Sequence, residues 1–254
     1  MTRDDAGVEC GNPVLEVNNV VKKFKRGPTI GPISFTVSRG EIFALIGPNG
    51  AGKTTTIRMI TGIYRPDAGY VKVCGSVAQR GFVAYVPEES AVYPRLTGYE
   101  HLYFYAKLYY SDKRRVRLIV ERAASISGLG DNLRRKVGEY SKGMKRRLLV
   151  ALALALDTPL LVLDEPTSGL DVYSSVEVRR LILRAARDGR AILLTSHNML
   201  EVERLATRVG FIARGQLIDI GEPHVLIERY GGRDLEEAFV NAVQRVLGKT
   251  IAKR

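Results

Sequence analysis

The chain has 254 residues, of which 45% are hydrophobic, and its formal net charge is +12 at pH 7. This length and composition allow one substantial core or two small ones, and they exclude fibrous and wholly disordered proteins. The acidic start, Met1-Thr2-Arg3-Asp4-Asp5, lacks the pattern of a secretory signal, and the longest apolar run, residues 148–156, is about half of a membrane span. We therefore expect a globular protein that does not itself cross a membrane.

The cysteine content is low, with Cys10 and Cys74 far apart in the chain. Two cysteines at this spacing do not indicate a disulfide framework or a zinc site. We therefore expect a reducing compartment, which is most simply the cytosol.

The N-terminal part contains two kinds of strand pattern. Residues 1–12 lack periodicity and predict a loose tail. Ile33, Phe35 and Val37 alternate with polar residues, which is typical of an antiparallel strand with one exposed face. Continuous apolar runs instead predict strands covered on both faces, as in a parallel α/β core. These runs are residues 42–46, 82–86, 160–163 and 191–194.

Helical patterns follow these strands. Residues 54–60 continue directly from a glycine-rich loop, which predicts a strand, loop and helix that together bind phosphate. Residues 88–155 have long helical patterns without buried strands, beginning with the tyrosine-rich segment 99–110. This change indicates an inserted helical subdomain. After Gly221, residues 235–246 predict a short amphipathic helix.

Positive charge is concentrated between residues 91 and 150, where fourteen Lys and Arg stand against five Asp and Glu. Nucleic acid, anionic lipid headgroups and nucleotide phosphates all favour such clustered cations. A solvated helical face explains the same pattern. The charge alone leaves these alternatives open.

The glycine-rich loop reads Gly-Pro-Asn-Gly-Ala-Gly-Lys-Thr, which fits the phosphate-binding pattern G-x-x-x-x-G-K-[ST]. Its glycines let backbone N–H groups converge on phosphate oxygens at the start of a helix. Lys53 adds a charge for the β and γ phosphates, and the Thr54 hydroxyl suits Mg²⁺. The predicted nucleotide-binding residues are Gly47, Pro48, Asn49, Gly50, Ala51, Gly52, Lys53, Thr54 and Thr55.

Two carboxylates end the predicted strand 160–163. Asp164 is a candidate ligand of Mg²⁺ beside the glycine loop, and Glu165 is a candidate base for the water that attacks the γ-phosphate. Alone, this pair is better explained as a helix-capping loop, but the glycine loop reverses that preference. No Asn-Lys-x-Asp guanine motif is present, which argues against a GTPase.

Together with Tyr140-Ser141-Lys142-Gly143-Met144 and His197, these motifs resemble the nucleotide-binding subunit of ATP-binding cassette (ABC) transporters, from about Val14 to Gly221. The resemblance implies an α/β P-loop NTPase (RecA-like) fold, with a parallel-sheet core, an antiparallel β subdomain and an inserted α-helical subdomain. It also implies three parts: a flexible tail at 1–12, an ATPase domain at 13–221 with its helical insert at about 88–155, and a C-terminal helical extension at 222–254.

The resemblance implies roles for further residues. Ser141 and Gly143 keep two positions of the family's Leu-Ser-Gly-Gly-Gln signature, whereas Tyr140, Lys142 and Met144 depart from it. In the family, the signature completes the ATP site of a second, head-to-tail subunit, and the loop containing Asp171 crosses that interface.

The remaining family assignments concern the adenine, the γ-phosphate and the metal. Phe24 corresponds to an aromatic that stacks on adenine, although a core phenylalanine is the competing interpretation. His197 corresponds to the switch histidine at the γ-phosphate, and Glu88 stands where the family most often has Gln at the Mg²⁺ ion. His101 and His224 have no such context and are expected to be structural.

Four cations lie near the start of the predicted signature helix, where positive charge opposes the helix dipole. Either ATP approaches them or they form a solvated cationic face. These residues are Lys142, Lys145, Arg146 and Arg147.

The implied function is the ATPase motor of a membrane transporter, with Lys53, Glu165 and His197 as its catalytic residues and ATP and Mg²⁺ as cofactors. The implied partners are a separate transmembrane permease and a second nucleotide-binding subunit, identical or different, and no nucleic acid is expected. The implied location is cytoplasmic, on the inner face of the membrane.

Export is preferred over import for two reasons. The chain ends at Arg254 without the β-rich domain of many sugar importers, and residues 141–144 and 234–239 resemble drug, lipid or polysaccharide export cassettes.

Three tyrosines, Tyr93, Tyr99 and Tyr103, follow Glu88 in the segment where the family binds a helix of its membrane subunit. They either anchor that helix or pack the helical subdomain.

Two alternative functions are weaker. A soluble ABC ATPase acting on nucleic acid or ribosomes fits the basic charge, but such relatives usually have two cassettes or a long coiled-coil insertion, for which there is no room between Lys53 and Ser141. A small-molecule kinase leaves residues 141–144 unexplained.

Overall fold

A computed structural model describes residues 10–77, 81–89 and 92–248. The predicted tail lies mostly outside these residues. Strands are β1 (Leu15–Lys22), β2 (Ile30–Val37), β3 (Ile42–Ile46), β4 (Ala68–Val73), β5 (Val83–Val86), β6 (Leu160–Asp164), β7 (Ala191–Ser196), β8 (Arg208–Ala213) and β9 (Gln216–Gly221). Helices are α1 (Lys53–Ile60), α2 (Gly98–Tyr109), α3 (Lys113–Ser127), α4 (Lys142–Ala155), α5 (Val172–Arg187), α6 (Met199–Leu205), α7 (Pro223–Tyr230) and α8 (Leu235–Leu247).

The strands form two sheets. The larger sheet has the order β5-β6-β7-β3-β8-β9, with parallel pairing from β5 to β8 and an antiparallel β9 at its edge. The smaller sheet is antiparallel with the order β2-β1-β4. The four continuous apolar runs are all strands of the larger sheet, and the alternating segment is β2, so the predictions of both strand classes are confirmed.

The core lies on both faces of the larger sheet, which explains why its strands are apolar throughout. Ile42, Ala44 and Ile46 of β3 face a cluster shared with the helices. Phe43 and Leu45 face a second cluster, shared with the antiparallel sheet and α1. Because successive side chains of a strand point to opposite faces, both sets must be hydrophobic.

The helices of the 98–155 segment begin at polar caps. Thr97 and Glu100 form a reciprocal capping box at α2, and the Asp112 carboxylate accepts from the Arg115 N–H at the start of α3. The hydroxyl of Ser141 accepts from the Met144 N–H at 3.2 Å and caps α4. These caps fix where each helix begins and, for α4, place Ser141 at its N-terminus. In the described part of the chain, no helix is long and apolar enough to cross a membrane.

The cysteines depart from the prediction, because Cys10 and Cys74 form a disulfide. Their distance in sequence is overcome by the antiparallel pairing of β1 with β4, in which Leu15 lies opposite Val73. The Cys74 N–H also donates to the Val14 carbonyl at 2.8 Å. The interpretation that this spacing does not indicate a disulfide was therefore wrong, and with it the cysteine argument for a reducing compartment is lost.

Reduction of this disulfide should lower the free energy of unfolding. The bond joins residues 64 positions apart, and the chain-entropy model gives about 4 kcal/mol for a loop of this length. Urea unfolding with and without a thiol reductant measures the difference. Cys74→Ser without reductant should match the reduced wild type, whereas equal stability of oxidised and reduced protein would contradict the prediction.

Candidate nucleotide-binding site

The phosphate loop connects β3 to α1, as its sequence predicts. Gly50 and Gly52 have φ values of +77° and +108°, which favour glycine. At Gly47, a Cβ atom would lie 2.1 Å from the carbonyl oxygen of Ile212, so no side chain fits there. Gly52 is the N-cap of α1, and the loop therefore ends at a helix N-terminus, where anions are stabilised.

Lys53 is buried, and its ammonium lies inside the loop. The Lys53 Nζ donates to the Gly47 carbonyl at 2.7 Å and lies 3.5 Å from the Glu165 Oε1. A flexible side chain held by loop carbonyls in this way is able to turn toward phosphate oxygens when a nucleotide occupies the loop. The position agrees with a phosphate-binding lysine.

The carboxyl ends of the parallel strands bring the other candidates to the same edge of the sheet. Asp164 ends β6 and pairs with Thr195 of β7, while Ile46, the last residue of β3, pairs with Ser196. His197 directly follows β7. The strand order β6-β7-β3 therefore places Asp164, Glu165 and His197 beside the phosphate loop.

Asp164 is almost fully buried, and Thr195 holds its carboxylate. The Thr195 hydroxyl donates to the Asp164 Oδ1 at 2.5 Å. Burial, reinforced by this carboxylate, raises the pKa of Tyr85 to about 12, so the phenol is neutral beside Asp164. Thr195 has no motif of its own in the sequence, and the available signal is a threonine in an otherwise apolar strand opposite Asp164.

Glu165 has the most constrained geometry of the site. It is 5% exposed, with a φ of +47°, which is uncommon for a residue other than glycine. Its N–H donates to the Thr195 hydroxyl at 3.1 Å, which supports this backbone. Its Oε2 lies 2.8 Å from the His197 Nδ1. The carboxylate is thus held between Lys53 and His197.

A cleft of about 280 Å³ joins most of the predicted nucleotide-binding residues. It includes the loop from residue 48 to residue 55, together with Glu88 and Glu165. Phe24 lies at the cleft and is 38% exposed, which is more consistent with a stacking surface than with a core side chain. The ring centroids of Phe24 and Tyr64 lie 6.1 Å apart in an edge-on arrangement.

The backbone just before Phe24 is held by Asp67. The Asp67 carboxylate accepts from the Lys23 N–H at 2.7 Å and from the Lys22 Nζ at 3.1 Å. These hydrogen bonds lower the pKa of Asp67 and keep it ionised. The end of β1 is therefore fixed to the start of β4, next to the cleft.

The signature residues lie outside this cleft. A Cβ atom at Gly143 would lie 2.1 Å from the Ser174 Oγ, so the glycine allows α4 to approach the start of α5. The Asp171 carboxylate caps α5 by accepting from the Ser174 N–H at 2.9 Å. Ser141, Gly143 and Asp171 thus belong to one neighbourhood, distinct from the cleft of the phosphate loop.

Tyr140, one departure from the family's signature, has a structural explanation. It is buried, and its hydroxyl donates to the Asn132 carbonyl at 2.6 Å. Burial raises the pKa of Tyr140. The side chain therefore anchors the start of the signature segment to the turn at Gly130–Arg134.

The four cations after Ser141 do not form one surface. Arg146 is fully buried, and Arg147 donates to the Ser127 carbonyl from Nε at 3.1 Å and from Nη2 at 2.7 Å. Of the four, only Lys142 is exposed, and Lys145 is half-buried. Both interpretations, approach of ATP and a solvated cationic face, are therefore wrong for Arg146, because its side chain is fully buried.

The other two histidines, His101 and His224, lie in opposite environments, one buried and one exposed. Burial lowers the pKa of His101 to about 4, and this fully buried ring packs between Tyr93 and Tyr105. His224 is exposed, and its Nδ1 lies 3.6 Å from the Glu222 Oε2.

The three tyrosines after Glu88 are partly exposed. Tyr93, Tyr99 and Tyr103 are each between 43% and 48% exposed. The ring centroids of Tyr93 and Phe104 lie 5.1 Å apart, so Tyr93 also packs within the helical segment.

Comparison with known proteins decides the family. A family model described as ABC transporter matches residues 30–168. The chain belongs to the ABC transporter family. It is 35% identical to the linearmycin resistance ATP-binding protein of Bacillus subtilis, over 91% of this chain and 76% of the relative. It is 38% identical to the Nod factor export ATP-binding protein I of Burkholderia lata, over 89% of this chain and 76% of the relative.

Solved structures agree with this assignment. An ATP-binding subunit of an ABC transporter matches with a TM-score of 0.81 and 29% identity, covering 91% of this chain and 99% of its own. CbiO1 from Clostridium perfringens matches in fold, with a TM-score of 0.78 and 22% identity over 94% and 97% of the two chains. This ABC subunit therefore has the α/β P-loop NTPase fold, binds ATP and is an ATPase that serves a transporter. A role on nucleic acid or ribosomes is not favoured.

Proposed function

We propose that this ABC subunit is the ATP-hydrolysing motor of an exporter and works as a head-to-tail dimer with two ATP molecules at its interface. The separate positions of the phosphate-loop cleft and the signature residues support the dimer. The cleft of the phosphate loop contains Lys53 and Glu165 but neither Ser141 nor Gly143, which lie beside Asp171. A second subunit, identical or different, would bring its signature to the open side of the cleft.

The chemistry proposed for the cleft is in-line attack of water on the γ-phosphate. Lys53 would leave the Gly47 carbonyl and bind the β and γ phosphates, which releases Glu165 from its ion pair. Glu165 would then accept a proton from the attacking water, while His197 holds its carboxylate in place and contacts the γ-phosphate. Phe24 would stack on adenine at the mouth of the cleft.

The residues present fit Mg²⁺ as a second cofactor. Within the described part of the chain, no cluster of three or more His, Cys, Asp or Glu side chains forms a complete metal site. Mg²⁺ typically uses one or two carboxylates together with substrate phosphates. Thr54, Glu88 and Asp164 supply suitable oxygen atoms around the loop. Bound there with ATP, the ion would neutralise phosphate charge.

Export and membrane association are inferred from relatives. The names of the linearmycin resistance and Nod factor export proteins connect those relatives with resistance or export. We extend this direction of transport to the present subunit, together with a separate transmembrane permease that holds it at the cytoplasmic face of the membrane. The boundaries 13–221 for the ATPase domain and 88–155 for its helical insert belong to the same proposal.

Replacing Tyr99 and Tyr103 with serine should weaken binding of the permease without unfolding the subunit. Exposed aromatic side chains bury a large area on docking at a low entropic cost, and both side chains are more than 40% exposed. Co-purification with a candidate transmembrane permease, expressed together with this chain, measures the interaction, and ATP binding and thermal melting report the fold.

Tyr70→Ser is the matched control, since Tyr70 is an exposed tyrosine on β4 of the antiparallel sheet. It should leave permease binding intact. If the Tyr99 and Tyr103 substitutions lower Tm sharply and spare the association, the docking surface is misplaced. If the wild-type subunit neither binds the membrane protein nor responds to it in ATPase rate, the transporter proposal is wrong for that partner.

A further inference from the structure

A buried arginine joins α4 to the loop that carries Glu88. The Arg146 side chain is fully buried. Its guanidinium donates from Nη1 to the Pro87 carbonyl at 2.7 Å and from Nη2 to the Glu88 carbonyl at 2.5 Å. One charged group therefore holds two consecutive backbone carbonyls where the chain leaves β5 and enters the nucleotide cleft.

Burying this charged group costs free energy, and a contact that only packs α4 against the Glu88 loop does not need a charge. Burial lowers the pKa of Arg146, and the carboxylates of Glu88 and Asp164 act against that shift. Its Nε has no hydrogen-bond partner within the described residues. Apolar residues of similar volume often replace buried ions without loss of stability. A guanidinium differs from them in providing a rigid fork that matches two acceptors.

The loop held in this way orients a side chain of the cleft. Glu88 is exposed and lines the same cleft as Lys53 and Thr54. Because its backbone carbonyl is fixed, its carboxylate has fewer accessible positions relative to the phosphate loop. Arg146 itself lies on the helix that begins at the Ser141 cap, so one side chain connects the signature helix with the Glu88 loop.

We infer that Arg146 is a positioning residue for the metal and nucleotide site, which acts by holding the Pro87 and Glu88 backbone so that the Glu88 carboxylate faces the cleft. The inference rests on the proposed function, because it takes Glu88 as an oxygen ligand of Mg²⁺. Arg146 does not contact the nucleotide in this scheme. Its contribution is the orientation of Glu88 and the connection of that residue to α4.

The test measures binding of a non-hydrolysable ATP analogue to the full chain by calorimetry, across a series of Mg²⁺ concentrations and in EDTA. Arg146→Met should raise the Mg²⁺ concentration for half-maximal binding by about 10-fold, the lower end of the effect of losing a group that supports a metal ligand. Affinity in EDTA should stay at the wild-type value. Arg146→Lys keeps the charge without the fork and should shift the Mg²⁺ dependence by about threefold.

Arg147→Met is a matched control from the same helix. Arg147 also donates two hydrogen bonds to a backbone carbonyl, but that carbonyl belongs to Ser127. This variant should lower Tm and leave the Mg²⁺ dependence unchanged. In addition, Arg146→Met combined with Glu88→Ala should need no more Mg²⁺ than Glu88→Ala alone, because effects that act through one residue are not additive.

Four results would decide against the inference or against its basis. A Mg²⁺ dependence of Arg146→Met equal to wild type, or additive effects of Arg146→Met and Glu88→Ala, would make Arg146 a packing residue and overturn the inference. If Arg146→Met does not fold, an unchanged Mg²⁺ dependence in Arg146→Lys would overturn it. If wild type binds the analogue equally with Mg²⁺ and EDTA, the proposed metal site fails instead.

Discussion

In Glu165→Gln, the rate of ATP hydrolysis should fall by about 10²- to 10⁴-fold, the usual contribution of a positioned base. The amide keeps the shape of the side chain but cannot accept a proton from water. ATP binding should persist, since the phosphate loop and Lys53 are unchanged. Binding without turnover should also accumulate an ATP-bound dimer. A steady-state phosphate-release assay and size-exclusion chromatography with ATP measure both effects.

Glu203→Gln provides the control for removing a carboxylate. The Glu203 side chain accepts from the Leu235 N–H at 3.2 Å and lies outside the cleft of the phosphate loop. It should retain the wild-type turnover. Wild-type hydrolysis in Glu165→Gln would remove Glu165 from the reaction, and His197 would then need to act without it.

Mixing Lys53→Ala subunits with Ser141→Arg subunits should restore ATPase activity that neither variant has alone. Each homodimer has two defective sites. In a head-to-tail heterodimer, one site carries both defects and the other combines an intact phosphate loop with an intact signature. If subunits assort randomly and one site works alone, recovery reaches up to about a quarter of the wild-type rate.

Two measurements make this result decisive. Ser141 caps α4 through the Met144 N–H, and loss of such a cap costs about 1 kcal/mol, so thermal melting must show that Ser141→Arg folds. Tagged subunits must show that heterodimers form. Heterodimers without any activity would contradict shared sites and favour a self-contained monomer.

Much of the fold is determined by local patterns. The alternation of Ile33, Phe35 and Val37 predicts β2, and the apolar run 42–46 predicts β3, because burial on one or two faces demands these patterns directly. Helix caps are equally local, as Ser141 at α4 illustrates. The boundaries of these elements follow within a few residues.

The sequence also determines which residues belong to the phosphate loop, since Gly47, Gly50 and Gly52 are required by the backbone itself. The positions of Asp164 and Glu165 at the end of an apolar strand have the same origin. A motif placed at the carboxyl end of a parallel strand must meet its neighbours at the same edge of the sheet.

Only the tertiary structure decides contacts between distant segments. The disulfide of Cys10 with Cys74 depends on the pairing of β1 with β4. The hydrogen bond from Thr195 to Asp164 depends on the order of β6 and β7. The burial of Arg146 depends on how α4 packs beside β5. A charged residue or a lone cysteine has the same sequence signature in any of these settings. Its partner is chosen by strand order and helix packing, which bring together residues whose spacing in the chain carries no information about one another.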